Sequence, residues 1–183
     1  MKNTQADILH FWFSETAPSQ WFQKNPEFDE LITTRYARLY EWGRDGLCDG
    51  WMRDVDGCLA LCILLDQFPR NMFRGSEQAF QSDAKALYVA KTAIAKGYDQ
   101  ILSPLKRRFL YLPFEHSESM DEQKRSLDLF ETLKADDPIV YEYALRHYKV
   151  IEQFGRFPHR NAVLGRVSTP AELDFLALPN SSF

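Results

Sequence analysis

Apolar residues recur along most of this chain at three- and four-residue spacing, the period of one face of an α-helix. Phe28, Leu31, Ile32, Leu39 and Trp42 follow it, with the stem of Arg35 in the same stripe. Ala84, Leu87, Tyr88 and Ile94 do the same, then Leu127, Phe130 and Leu133, then a thicker stripe of Ile139, Tyr143, Leu145, Tyr148 and Ile151. From Cys58 to Leu65 every residue is apolar, so that helix is expected to be central. No window alternates apolar and polar positions long enough to argue for a strand.

Punctuation agrees with the period. Asn25-Pro26, Ser103-Pro104, Asp137-Pro138 and Thr169-Pro170 each place a capping side chain before a proline. The cap accepts a bond from an orphan N–H, and proline at the first helical position has no N–H to leave orphaned. Thr169 with Glu172, and Ser119 with Glu122, have capping-box spacing. Gly43, Gly97, Gly155, Pro69 and Pro113 read as stops. The pattern predicts about eight helices: 4–13, 26–42, 55–68, 77–96 with a break near Ser82, 104–112, 120–134, 138–154 and 170–177. The fold class is all-α. Short connections imply antiparallel hairpins, and no Gly-, Ser- or Pro-rich linker divides the chain, so residues 1–183 read as one all-helical domain.

Composition narrows the class of protein. The chain has 183 residues, 45% of them apolar, enough for a core without covalent staples. Net charge is −4 and the pI near 5.6, which offers no electrostatic footprint for nucleic acid. Three cysteines, Cys48, Cys58 and Cys62, form no disulfide framework and read as small core residues in a reducing compartment. No signal-peptide core follows Met1, and the longest apolar run is too short to cross a bilayer. The expected location is the cytoplasm, with no membrane partner.

Three clusters mix aromatics, proline and charge: Leu65 to Gly75, Tyr111 to Glu118, and Phe154 to Asn161 closed by Gly165-Arg166. The first and third echo one another. Phe68-Pro69-Arg70-Asn71 with Arg74-Gly75 resembles Phe157-Pro158-His159-Arg160-Asn161 with Gly165-Arg166, as if two related helix exits were repeated. Loops carried on a rigid helical scaffold are where function tends to sit.

The order Phe11-Trp12-Phe13, Leu64 to Asn71, Pro113 to Glu118, Phe154 to Asn161, Leu164-Gly165-Arg166 and Ser168-Thr169 resembles the bacterial family known as domain of unknown function 924. The resemblance runs through nearly the whole chain. It implies helical hairpins of the tetratricopeptide-like kind, in a right-handed superhelix, and implies no activity.

The residues themselves leave two readings of the arginines. Arg70, Arg74, Arg156, Arg160 and Arg166 can bind helix-end carbonyls and the acids Asp66, Glu115 and Glu118, locking the corners. Alternatively, Asp66, Arg70, Asn71, Arg74, Arg156, His159, Arg160, Asn161 and Arg166 form a ligand site in which free guanidinium forks grip a phosphate or carboxylate. Stacked hairpins bring helix ends together, so Arg70, Arg74, Arg156 and Arg160 are expected to share one polar site with His116 and Glu118. On this basis the chain reads as a helical module binding an anionic small molecule or a protein segment. The competing reading is a small-molecule enzyme with His116 and Glu118 as acid and base beside an arginine clamp. His147 and His159 are the other candidate acid–bases. There is no HExxH or CxxC spacing and no glycine-rich phosphate loop, so no metal or cofactor is expected.

Overall fold

Asn25 Oδ1 accepts from the amides of Glu27 and Phe28 at 3.0 and 3.2 Å, and a helix starts at the next residue, Pro26. Helix starts at this chain's caps organise a computed structural model that describes residues 4–179 and 181. The helices are α1 Gln5–His10, α2 Pro26–Arg44, α3 Val55–Cys62, α4 Phe68–Met72, α5 Asp83–Ala95, α6 Pro104–Glu115, α7 Met120–Glu131, α8 Pro138–Phe154 and α9 Pro170–Leu176. No strand occurs among the described residues. A wider π-helical segment, Ile63–Gln67, joins α3 to α4 without a break, and a second, Phe11–Glu15, extends α1. Counted as continuous helices, the expected eight are present among the described residues. The break near Ser82 also appears: a 3-10 turn at Glu77–Phe80 precedes α5.

Asp137 and Thr169 cap as expected, and Thr169 and Glu172 form the full capping box. Other punctuation is corrected. Ser119 stands at the start of α7 but makes no side-chain cap bond. Pro113 lies inside α6, and Pro69 sits near the start of α4, within the continuous helix. Gly43 does not end α2 but lies against Leu64, where a methyl group would come within 2.9 Å of Leu64 Cδ2.

Chain packing divides into two units, Met1–Arg74 with Gln78–Pro113, and Gly75–Glu77 with Phe114–Phe183. The first unit is built on rings. Phe68 lies 4.8 Å from Tyr36, 5.6 Å from Trp12 and 6.0 Å from Phe11, centroid to centroid. Phe109 meets Trp12, Phe13 and Trp21 edge-on at 5.0–5.8 Å, the geometry that ring quadrupoles favour. Trp21 is buried, whereas Phe22 is half-exposed between Phe109 and the Arg108 guanidinium. The α3 segment is buried on every side, as its composition requires. All three cysteines are free and buried; burial pushes the Cys58 thiol up to about 11 and the Cys62 thiol well up from its ordinary value, so they are inert packing residues. In the second unit α7 packs on α8 as a hairpin, and Val150, Ile151 and Phe157 form a core with Met120, Phe154 and Phe175. No described helix is long and apolar enough to cross a membrane.

Gly57 marks the tightest approach. A Cβ there would stand 2.0 Å from the Trp51 carbonyl oxygen. Alanine is the better helix former by about 1 kcal/mol, but this clash is with backbone and cannot be relieved by a rotamer. Gly57→Ala is therefore expected to destabilise by about 1–3 kcal/mol, read as a lower urea midpoint at unchanged slope; a higher midpoint would show that the segment can move aside.

Candidate functional site

The arginines singled out by the sequence fall in two places. In the first unit, Arg70 forks onto Asp83 at 2.9 and 3.1 Å. It also donates to the Asp66 carbonyl and stands 3.4 Å from the fully buried Asp66 carboxylate. Gln67 donates to the same carboxylate. Arg74 forks onto Asp29 at 2.8 and 2.9 Å, and Asn71 donates to Asp29 as well. Burial raises the Asp29 carboxyl, but the Arg74 and Asn71 bonds outweigh it and hold the group below the usual carboxylate range.

In the second unit, Arg156 forks onto Glu172 at 2.6 and 2.8 Å. Arg166 forks onto Glu118 at 2.7 and 3.0 Å and reaches the Asn161 side chain. Glu118 also accepts the Phe157 amide at 2.8 Å. Burial pushes its carboxyl up, yet the Arg166 and Phe157 bonds bring it below the ordinary value. Both Glu118 oxygens thus hold the corner in place, as an anchored carboxylate does.

The two corners share contents but not path. Phe68 and Phe157 are fully buried, and in each corner an asparagine stands beside an arginine that forks onto an acid of another segment. The backbone differs. The first motif continues as helix α4, whereas α8 ends on Gly155 at φ +69°, Phe157 is extended and Pro158–Arg160 is a 3-10 turn. The expectation of equivalent helix exits is corrected accordingly.

Around Phe157 the second unit assembles its histidines. The ring lies 5.6 Å from His147 and 5.7 Å from His159, and the Arg160 guanidinium sits 4.6 Å from its centroid. His116 stands 6.0 Å from His147, ring to ring. Arg160 donates to the His116 carbonyl at 3.0 Å. The acid and histidine that the structure pairs are Glu115 and His147: Glu115 Oε1 is 3.1 Å from His147 Nδ1, and both residues are buried. His147 Nδ1 also lies 2.9 Å from the Tyr143 carbonyl. Carbonyls only accept, so Nδ1 carries the proton and Nε2 is the basic nitrogen. Burial, with the His116, Arg160 and His159 charges around it, pushes His147 well below the ordinary histidine range despite the Tyr143 bond. One ligand atom from each of Glu115, His116 and His147 lies within 4.8 Å of the others, and His116 is half-buried between the two buried partners.

Gln123, which the sequence reading passes over, fixes this centre. Its amide nitrogen donates to the Glu115 and Ser117 carbonyls, each at 2.7 Å, closing the end of α6. A signal for it exists, because Gln123, Ser126, Phe130 and Leu133 are all buried at helical spacing on one face of that segment. The missed acids, Asp29, Asp83 and Glu172, are partners from 13 to 45 residues away from their arginines.

The site and fold together define an all-helical protein with a buried histidine–carboxylate centre and arginine-locked corners. The family model for a bacterial protein of unknown function, DUF924, matches residues 8–180, and the chain belongs to this family. The solved structure of a protein of unknown function from Agrobacterium tumefaciens is similar to it, with a TM-score of 0.90 and 39% identity over 94% of this chain and 96% of that one. No curated protein matches the chain significantly.

Proposed function

We propose that the chain is a helical binding module and that its binding centre is the cluster of His116, His159 and Arg160 around Phe157. The ligand is an anionic group, a phosphate or carboxylate of a small molecule or of a protein segment. The observation that carries this reading is the convergence of imidazole and guanidinium groups on one buried ring. Arg70, Arg74, Arg156 and Arg166 each fork onto a carboxylate of the chain itself. His147, His159 and the Arg160 guanidinium converge on the Phe157 ring, with His116 beside His147. His116 and His159 are both partly open to solvent. Planar guanidinium and imidazole donors suit carboxylate and phosphate oxygens. Glu118, bound through both oxygens, supports the corner and does not favour the acid–base enzyme reading.

Thermal shift with sodium phosphate and with citrate tests this. A ligand at roughly 100 times its dissociation constant adds about 2.7 kcal/mol, a rise in Tm of about 5–10 °C for a chain of this size. His159→Ala, at a half-buried position, is expected to remove the rise while leaving the unliganded Tm nearly unchanged. An equal rise with sodium chloride at matched ionic strength, or a rise that survives both His116→Ala and His159→Ala, would overturn the assignment.

A further inference from the structure

We propose that Glu115, His116 and His147 form a binding site for one divalent first-row transition ion, of which zinc is the representative. This rests on the reading of the same centre as the binding site, and it adds the means by which an anion would be held there. Two imidazoles and one carboxylate are a ligand set that such ions accept, leaving at least one coordination position open.

The supporting geometry comes from four elements of the second unit. The end of α6 supplies Glu115 and the residue after it, His116, while α8 supplies His147. Ligand atoms within 4.8 Å of one another need only a modest closure, since donors bound about 2.1 Å from one metal stand roughly 3–3.5 Å apart. His116, half-buried at the helix end, is the partner able to make that adjustment. The surrounding bonds are those expected of a supporting shell. The Tyr143 carbonyl, 2.9 Å from His147 Nδ1, holds the ring in place beside Glu115. Gln123 holds the carbonyls of Glu115 and Ser117, and Arg160 holds that of His116.

A further observation is independent of the ligands. Gln123 is fully buried, and its amide oxygen has no hydrogen-bond partner among the described residues. Because the same amide's nitrogen is 2.7 Å from the Glu115 carbonyl, that oxygen lies beside the end of α6. Buried acceptors call for a donor, and a water bound to an ion at this centre would provide one.

Arg160 and His159 add positive charge near the ion. Their effect is to weaken a bare cation and to draw an anion into the open position, so metal and anion should strengthen each other's binding to the same degree.

Native mass spectrometry with Zn²⁺ alone, and Co²⁺ titration followed by visible absorption, are made on the full chain without added anion. The expected result is one ion per chain, with affinity reduced at least about tenfold in His116→Ala and in Glu115→Gln. Of the chain's four histidines, His10 is exposed and near Glu15, a candidate for an adventitious surface site, so His10→Ala is the control and should bind as the parent does. Each variant's circular dichroism spectrum and Tm are measured without metal, so that loss of binding is separated from loss of fold. No ion at tenfold excess, or binding that His10→Ala abolishes and His116→Ala leaves intact, overturns the site. If no metal binds but phosphate still raises Tm through His159, the metal site falls and the anion-binding reading stands. If neither ligand binds, both fall.

Discussion

Phe68→Ala should destabilise the protein by about 3–5 kcal/mol, the usual cost of emptying a fully buried aromatic position. Phe68 joins the two π-helical segments of the first unit: it follows Ile63–Gln67 directly, and its ring meets Phe11 and Trp12 from Phe11–Glu15 together with Tyr36 of α2. Removing it takes contacts from all three partners at once, and the cavity is lined by rigid rings that cannot collapse into it. A drop in Tm of about 10 °C or more is expected. Phe22→Ala is the matched control, because Phe22 is 53% exposed and its loss should cost no more than about 1 kcal/mol. Similar costs for the two variants would mean that the ring cluster is not the core of this unit.

The helices were legible because their signals are local. A cap and a proline lie next to one another, and an apolar stripe repeats within one turn. Of the five expected stops, Gly97 and Gly155 end their helices, whereas Gly43, Pro69 and Pro113 lie within theirs. Gly155 and Gly97 adopt the left-handed conformation that glycine permits. Gly43 lies against the Leu64 side chain, and Pro69 is tolerated within a helix whose preceding turn has widened to π geometry. Neither cause can be seen in the residues immediately around it.

The site was legible in its contents and less so in its pairings. The sequence marks Arg70, Arg74, Arg156, Arg166, His116 and Glu118 as charged residues in aromatic, proline-containing corners. It does not show that Asp29 of α2 answers Arg74, or that Asp83 of α5 answers Arg70. Arg70 and Arg74 take these partners within the first unit, while Arg156, Arg160 and Arg166 lie with His116 and Glu118 in the second. Glu172 is the instructive case. Its capping-box spacing with Thr169 was visible, but one carboxylate serves two purposes: Oε2 accepts the Thr169 amide at 2.7 Å and Arg156 at 2.8 Å.

That double use makes Arg156→Ala the sharpest test of the corner arginines. Glu172 is buried, and Arg156 supplies its fork and also a bond to the Val167 carbonyl at 2.9 Å. Truncation would leave the carboxylate with the Thr169 amide and the Asn161 side chain, and is expected to lower Tm by several degrees. The loss should be the same with or without phosphate, because this arginine holds the fold and not a ligand. The pH dependence has a definite sign. The Arg156 fork, then the Thr169 amide, hold the Glu172 carboxyl far below the ordinary glutamate value. A group depressed in the folded state binds its proton more readily when unfolded, so its contribution is complete above about pH 4.3, the unfolded value, and is lost as pH falls towards the folded one. Wild type and Arg156→Ala should therefore differ fully at pH 7, and the gap should narrow progressively as pH falls below about 4. Urea unfolding at pH 7, 5 and 3 measures it. A gap that stays constant across this range would show that Arg156 acts through packing of its stem and its carbonyl bond, and that the charge on Glu172 contributes little.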